Sequence, residues 1–218
     1  MLISSNTVVV FDLDDTLYLE SEYRNSGIKC LLGFIETHYP HLNTQQLTFK
    51  SLLEADDFLA LICEKLKLPD QIKESFLWMY RLHIPKIELS ASTHSLLLEI
   101  RKKSRFVAIL TDGRSVTQRL KLEALGLLDF PHYISEEYSS EKPNLLRFEK
   151  IMDDYPDCNY LYIGDNPRKD FIAPNMLGWC TVGLRGNSLN IHPQNYKNID
   201  ETFMPKLWIN SLADLMRM

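Results

Sequence analysis

Four short apolar runs punctuate this chain, and stretches at helical spacing separate them. They are Val8-Val9-Val10-Phe11, Phe106-Val107-Ala108-Ile109-Leu110, Tyr160-Leu161-Tyr162-Ile163 and Cys180-Thr181-Val182-Gly183-Leu184. Short runs rich in β-branched and aromatic residues suit strands buried on both faces. Strands that alternate with helices pair in parallel through right-handed crossovers, which lay helices over both faces of one sheet. The expected fold class is therefore α/β, a doubly wound parallel sheet. His132-Tyr133-Ile134 and Leu207-Trp208-Ile209 are shorter candidate strands of that sheet.

Between Leu17 and about Pro85 no strand pattern occurs. Tyr23, Ile28, Leu31, Leu32 and Ile35 recur at helical spacing from Ser21 to His38, and Asn43 or Thr44 suits the N-cap of a second helix. Phe58, Leu61, Ile62 and Leu66 continue a helical face until Leu68-Pro69-Asp70, and a further helix carries Ile72, Phe76, Met79 and Tyr80 to about Leu82. The expected organisation is an α/β core over residues 1–17 and 89–218, with residues 18–88 inserted as a helical unit. In the core, Ser92–Lys103 reads as an amphipathic helix, and Ser115 as the cap of a helix ending at Leu125-Gly126. Pro143 is expected in the first turn of a helix over 144–153. Pro174 falls where a helix should follow the fourth run, so that helix either starts late or bends. Residues 185–205 read as a polar loop, and Leu212–Met216 as helical.

Composition narrows the function classes. A formal net charge of -5 without a basic cluster argues against a nucleic-acid surface. The four cysteines are scattered, with no CxxC pair, as expected of reduced thiols in a cytoplasmic protein. No apolar stretch is long enough for a bilayer, and Met1–Thr7 lacks a signal-peptide pattern. GxxxxGK[ST] and GxGxxG are absent, so the usual nucleotide cradles are missing.

The chemistry concentrates at the strand ends, where parallel α/β sheets place their ligands. After the first run come Asp12-Leu13-Asp14-Asp15-Thr16, three carboxylates and a hydroxyl. The second run leads into Thr111-Asp112-Gly113, a hydroxyl with backbone amides that can cradle an anion. Glu141-Lys142-Pro143 sets an ammonium before a helix, and the run ending at Ile163 leads into Gly164-Asp165 with Asp170 five residues on. Each signal alone has an ordinary reading as a cap, a turn or a solvated charge. Together they form the set that phosphoryl transfer requires: carboxylates for a hard cation such as Mg²⁺, positive charge and donors for the phosphoryl oxygens, and a carboxyl to move protons.

In these motifs the chain resembles the haloacid dehalogenase superfamily of phosphohydrolases, with its Rossmann-like core. DxDxT is Asp12 to Thr16, the second motif is Thr111, the third is Lys142 and GDxxxxD ends on Asp165 to Asp170. The helical insertion resembles that family's small cap. The resemblance implies Asp12 as nucleophile, forming an aspartyl-phosphate, and Asp14 as general acid and then base. It implies Mg²⁺ held by Asp12, the Asp14 carbonyl and Asp165. Thr111 with the Asp112 and Gly113 amides, and Lys142, would bind the phosphoryl group; Asp170 would orient Lys142 or the metal shell. Asp15 is expected to be structural, and repulsion between acids is expected to raise the pKa of Asp14.

The implied partner is a small phosphorylated metabolite, with no nucleic acid and no membrane; oligomeric state is left open. Asp14 favours ester hydrolysis, because dehalogenases and phosphonatases that resemble this chain lack an acid there. A phosphomutase would keep both acids and remains an alternative. So does a catalytically idle binding protein, although such a relative would be expected to lose Asp12, Asp14 or Lys142.

Overall fold

The structure is a computed structural model that describes residues 2–186, 190, 194 and 200–218. Strand β1 (Thr7–Phe11) is followed by helices α1 (Glu20–His38), α2 (Phe49–Glu54), α3 (Phe58–Leu66) and α4 (Gln71–Leu82). Then come α5 (Ala91–Lys103), β2 (Phe106–Thr111), α6 (Ser115–Ala124), β3 (His132–Ile134) and α7 (Ser135–Tyr138). The chain continues through α8 (Leu146–Asp154), β4 (Asn159–Gly164), α9 (Ile172–Met176), β5 (Cys180–Leu184) and β6 (Leu207–Ile209). It divides into two compact units, Met1–Glu20 with Glu88–Met218, and Ser21–Ile87.

In the larger unit six parallel strands form one sheet in the order β3-β2-β1-β4-β5-β6. This is the doubly wound α/β arrangement that the alternation of runs and helices predicts. All five residues of β1 are buried, as a central strand covered on both faces requires. On one face Val8, Val10, Ala108, Leu110 and Tyr162 pack with Phe148 and Ile151 of α8 and with Ala173 of α9. Strand order reverses between β1 and β4, and the crevice beyond the carboxyl ends at such a switch point is where open α/β sheets bind ligands. Phe11 pairs with Ile163 there, so the residues following both strands emerge side by side.

The smaller unit buries an apolar cluster of Ile28, Leu31 and Ile35 from α1, Leu52 from α2, Ile62 from α3 and Phe76 from α4. Asn43 caps only a single 3-10 turn over Thr44–Gln46, and α2 takes Thr48 as its N-cap instead. His83 lies against Ser26, its Nε2 3.0 Å from the Ser26 hydroxyl.

Other local differences have physical reasons. Ser115 is the first helical residue of α6, not its cap; its amide donates to Glu136 Oε2 at 2.8 Å, so a distant carboxylate replaces the local hydroxyl. Helix α8 starts at Leu146, beyond Pro143, with Asn144 Oδ1 accepting from the Leu146 amide at 2.9 Å. Pro174 is the third residue of α9, where its missing N–H costs no helical bond, so the helix starts late rather than bending. Leu212–Arg217 is a 3-10 turn with a Ser211–Asp214 capping box. Of the polar loop expected over 185–205, residues 187–189, 191–193 and 195–199, including Asn187, Pro193 and Asn195, lie outside the described residues. Among the described residues no helix is long and apolar enough to cross a membrane.

Candidate active site

The Asp12 amide donates to the Ile163 carbonyl at 2.8 Å, extending the β1–β4 ladder by one step. That bond fixes Asp12 beside Gly164 and Asp165. The chain then turns sharply, with the Leu17 amide bonded to the Leu13 carbonyl at 3.0 Å. Asp15 takes the positive φ of this turn, 55°, and its carboxylate accepts from the Glu20 amide at 2.9 Å. It stabilises the turn and is not among the residues of the cavity described below.

Lys142 Nζ donates to Asp12 Oδ1 at 2.6 Å and to Asp170 Oδ1 at 2.6 Å, and all three residues are buried. Burial alone would discharge this lysine, but Asp12 and Asp170 hold its pKa well above the usual value. Asp170 Oδ2 accepts from the Asn166 amide at 2.8 Å, and the Asp170 side chain lies close against Gly164. A Cβ at Gly164 would stand 2.5 Å from Asp170 Oδ2, so only glycine fits. Asp12, Asp165 and Asp170 each offer a carboxylate oxygen, all within 4.8 Å of one another. Burial, opposed by Lys142 and reinforced by Asp170, pushes Asp12 up to about 8. Burial and then the charges of Asp170 and Asp12 push Asp165 up to about 9. One lysine does not balance three buried acids, and an oxygen-only donor set with surplus negative charge suits a hard dication.

The turn after β2 is anchored from several sides. Thr111 Oγ1 accepts from Gln118 Nε2 at 2.5 Å, and the Gly113 amide donates to Ser135 Oγ at 2.9 Å. Asp112 directs its carboxylate to the fully buried Arg147, with Nη2 2.5 Å from Oδ1, and also accepts from the Lys142 amide at 3.2 Å. Arg147 Nη1 donates to the carbonyls of Thr111 and Tyr133 at 2.9 and 3.1 Å, tying β2 to β3.

Asp14 is surrounded by donors. Lys121 Nζ reaches Oδ1 at 2.7 Å, Tyr18 donates its hydroxyl to Oδ1 at 2.5 Å, and Gln118 Nε2 reaches Oδ2 at 2.9 Å. Burial acts to raise its pKa, but the Lys121 charge and these hydrogen bonds hold it below the ordinary carboxylate value. The expected rise therefore does not occur: the neighbouring acids are outweighed by a cation on α6.

Asp12, Asp14, Thr111, Asp112, Gly113, Lys142, Asp165 and Asp170 line one cavity of about 300 Å³, with Glu20, Glu141, Asn166 and Lys169 completing its wall. Burial and the nearby Asp14 charge push Glu20 up to about 7. Gln118, Lys121 and Arg147 escape a reading of the sequence because a polar side chain turned inward on a helix looks like one turned outward. Gln194, in the polar loop expected over 185–205, donates to the Asp165 carbonyl at 2.6 Å, and Asn190 Nδ2 lies 3.4 Å from Asp165 Oδ2.

Residues 9–183 match the family model of haloacid dehalogenase-like hydrolases. At 26% identity over 225 residues, covering 95% of this chain and 94% of the relative, the sequence is similar to glyceraldehyde 3-phosphate phosphatase of Methanocaldococcus jannaschii. It is similar at 32% identity over 126 residues to the pyrimidine 5′-nucleotidase YjjG of Escherichia coli, a match covering 56% of this chain and 52% of the relative. Among solved structures, the HAD-hydrolase YfnB from Bacillus subtilis, bound to magnesium, shares the fold with a TM-score of 0.67 at 20% identity, covering 98% of each chain.

Proposed function

This chain belongs to the haloacid dehalogenase-like hydrolases, and we propose that it is a Mg²⁺-dependent phosphatase that cleaves a small phosphate monoester through an aspartyl-phosphate on Asp12. The observation that carries this reading is the buried cluster in which Lys142 Nζ lies 2.6 Å from both Asp12 and Asp170, with an Asp165 oxygen within 4.8 Å of theirs. Such a concentration of charge is costly and gives the fold no packing advantage over apolar residues. It is what the transfer of a multiply charged phosphoryl group requires.

In the proposed reaction an Asp12 oxygen attacks phosphorus as the ester bond breaks. Asp14, ionised in the free protein, takes up a proton as the anionic ester binds beside it, gives that proton to the leaving oxygen, then accepts one from the water that attacks the aspartyl-phosphate. Release of inorganic phosphate restores the Asp12 carboxylate. Thr111, the Asp112 amide and Lys142 hold the phosphoryl oxygens, the Gly113 amide being bonded to Ser135 Oγ, and Asp170 fixes Lys142. Asp12, the Asp14 carbonyl and Asp165 would hold the Mg²⁺, which supplies the positive charge that lets an anionic nucleophile meet an anionic ester. The helical segment 18–88 is assigned to the family's small cap on its place in the chain. Four unpaired cysteines support a reducing compartment, the cytoplasm.

The test is release of inorganic phosphate from a panel of phosphate esters by the purified protein, with Mg²⁺ and with EDTA. Relatives named for glyceraldehyde 3-phosphate and pyrimidine nucleotides put those two esters first in the panel. Phosphate release that stops with EDTA is expected. Release of no phosphate from any ester, or undiminished release in EDTA, would contradict the reading.

A further inference from the structure

Helix α6 buries three side chains, Gln118, Lys121 and Leu122, and two of them end on one carboxylate. Lys121 Nζ is bonded to Asp14 Oδ1 at 2.7 Å and Gln118 Nε2 to Asp14 Oδ2 at 2.9 Å. Residues three apart share a helix face, so one rigid element addresses both oxygens of this acid. The same Gln118 nitrogen lies 2.5 Å from Thr111 Oγ1 and 2.9 Å from the Asp112 carbonyl. An amide nitrogen carries two hydrogens, so three acceptors share them. Gln118 thus sits where the acid meets the phosphoryl cradle. Gly113 accommodates it: φ is +141°, and a Cβ there would stand 3.2 Å from Gln118 Cγ.

Lys121 is 4% exposed and Gln118 1%. Burying an ammonium and an amide carries a desolvation cost that leucine or methionine on the same helix face would avoid. Lys121 Nζ also lies 3.9 Å from Glu20 Oε1 at the cavity wall, so the ammonium is held between two acids.

We infer that Gln118 and Lys121 are positioning residues for Asp14, fixing its carboxyl where it meets the leaving oxygen of the ester. The inference rests on the phosphatase reading above. In the step concerned, the Asp12–phosphorus bond forms, the bond from phosphorus to the leaving oxygen breaks, and the proton on Asp14 passes to that oxygen. A poor leaving group needs this proton and a good one does not. The α6 residues should therefore matter in proportion to leaving-group basicity, which a merely structural role would not produce.

The experiment compares kcat/KM for p-nitrophenyl phosphate, whose phenolate departs unaided, with that for glycerol phosphate, whose alkoxide does not. kcat/KM covers the steps through departure of the leaving group, so the later hydrolysis does not enter. Lys121→Met and Gln118→Leu are expected to lower the value for glycerol phosphate by about 10²-fold and that for p-nitrophenyl phosphate by less than about 10-fold. Asp14→Asn should give the same selectivity, and adding Lys121→Met to it should not deepen that selectivity. Lys121→Arg, which keeps a donor, should recover most of the loss and carries the test where Lys121→Met does not fold. Equal losses on both esters, or no loss, in variants that keep the wild-type unfolding transition overturn the positioning role. Selectivity in Asp14→Asn without it in the α6 variants overturns that role alone, whereas a wild type that releases phosphate from neither these two esters nor any other of the panel overturns the phosphatase reading itself.

Discussion

Asp12 Oδ1 accepts a hydrogen bond from Lys142 Nζ at 2.6 Å across 130 positions of sequence. The same ammonium meets Asp170, so one buried cation restrains two acids. Lys142→Met leaves three carboxylates with no partner of opposite sign among them. It is expected to lower kcat/KM by at least about 10³-fold and to destabilise the fold near neutral pH by about 3 kcal/mol. Acid should restore much of that stability by protonating the unpaired carboxyls, which urea unfolding at pH 5 and pH 8 will measure.

The cation site should be linked to protons. Asp12 and Asp165 are raised from 3.8 to about 8 and about 9, mainly by burial. Groups raised on folding bind more protons folded than unfolded, so their contribution to stability is full below about pH 4 and is lost as pH rises toward 8 or 9. Mg²⁺ binds the deprotonated carboxylates, so its affinity should rise over the same window with release of protons. The expected result is a Mg²⁺-induced increase in Tm that grows from pH 6 to pH 9, with EDTA reversing it. A shift independent of pH would contradict the linkage.

Arg147 is wholly buried and joins the turn after β2 to that before α8 through Asp112. Arg147→Met strands the Asp112 carboxylate and is expected to cost about 3 kcal/mol in chemical denaturation. Asp112→Asn, which keeps an acceptor for the guanidinium, should cost less, and the double variant should lose less than the sum of the two.

Gly164→Ala places a methyl group 2.5 Å from Asp170 Oδ2, forcing that carboxyl away from Lys142. Loss of phosphate release with a folded circular dichroism spectrum is expected. Normal turnover would show that Asp170 need not rest on Gly164.

The strand ends are legible in the sequence because a central parallel strand must be apolar along its length. Val8–Phe11 and Tyr160–Ile163 therefore announce where the polar turns begin. That Asp12 and Asp165 become neighbours follows from the β1–β4 pairing, which no local pattern reveals. The donors around Asp14 come from α6, and Lys121 stands between Leu120 and Leu122 without any sign that it faces inward. Neighbouring acids in the sequence therefore suggest a raised Asp14, whereas the fold supplies a cation that lowers it. The cap of α6 was hidden for a similar reason: Glu136 performs from a distance what Ser115 is placed to do locally.

The covalent step is the centre of the account. Acid quenching during turnover of a phosphate ester with Mg²⁺, followed by mass spectrometry of the peptides, tests it most directly. One phosphoryl group on the peptide containing Asp12, absent from Asp12→Asn together with turnover, is the expected result. Wild-type phosphate release with Asp12 never phosphorylated, or near-normal turnover by Asp12→Asn, would contradict it.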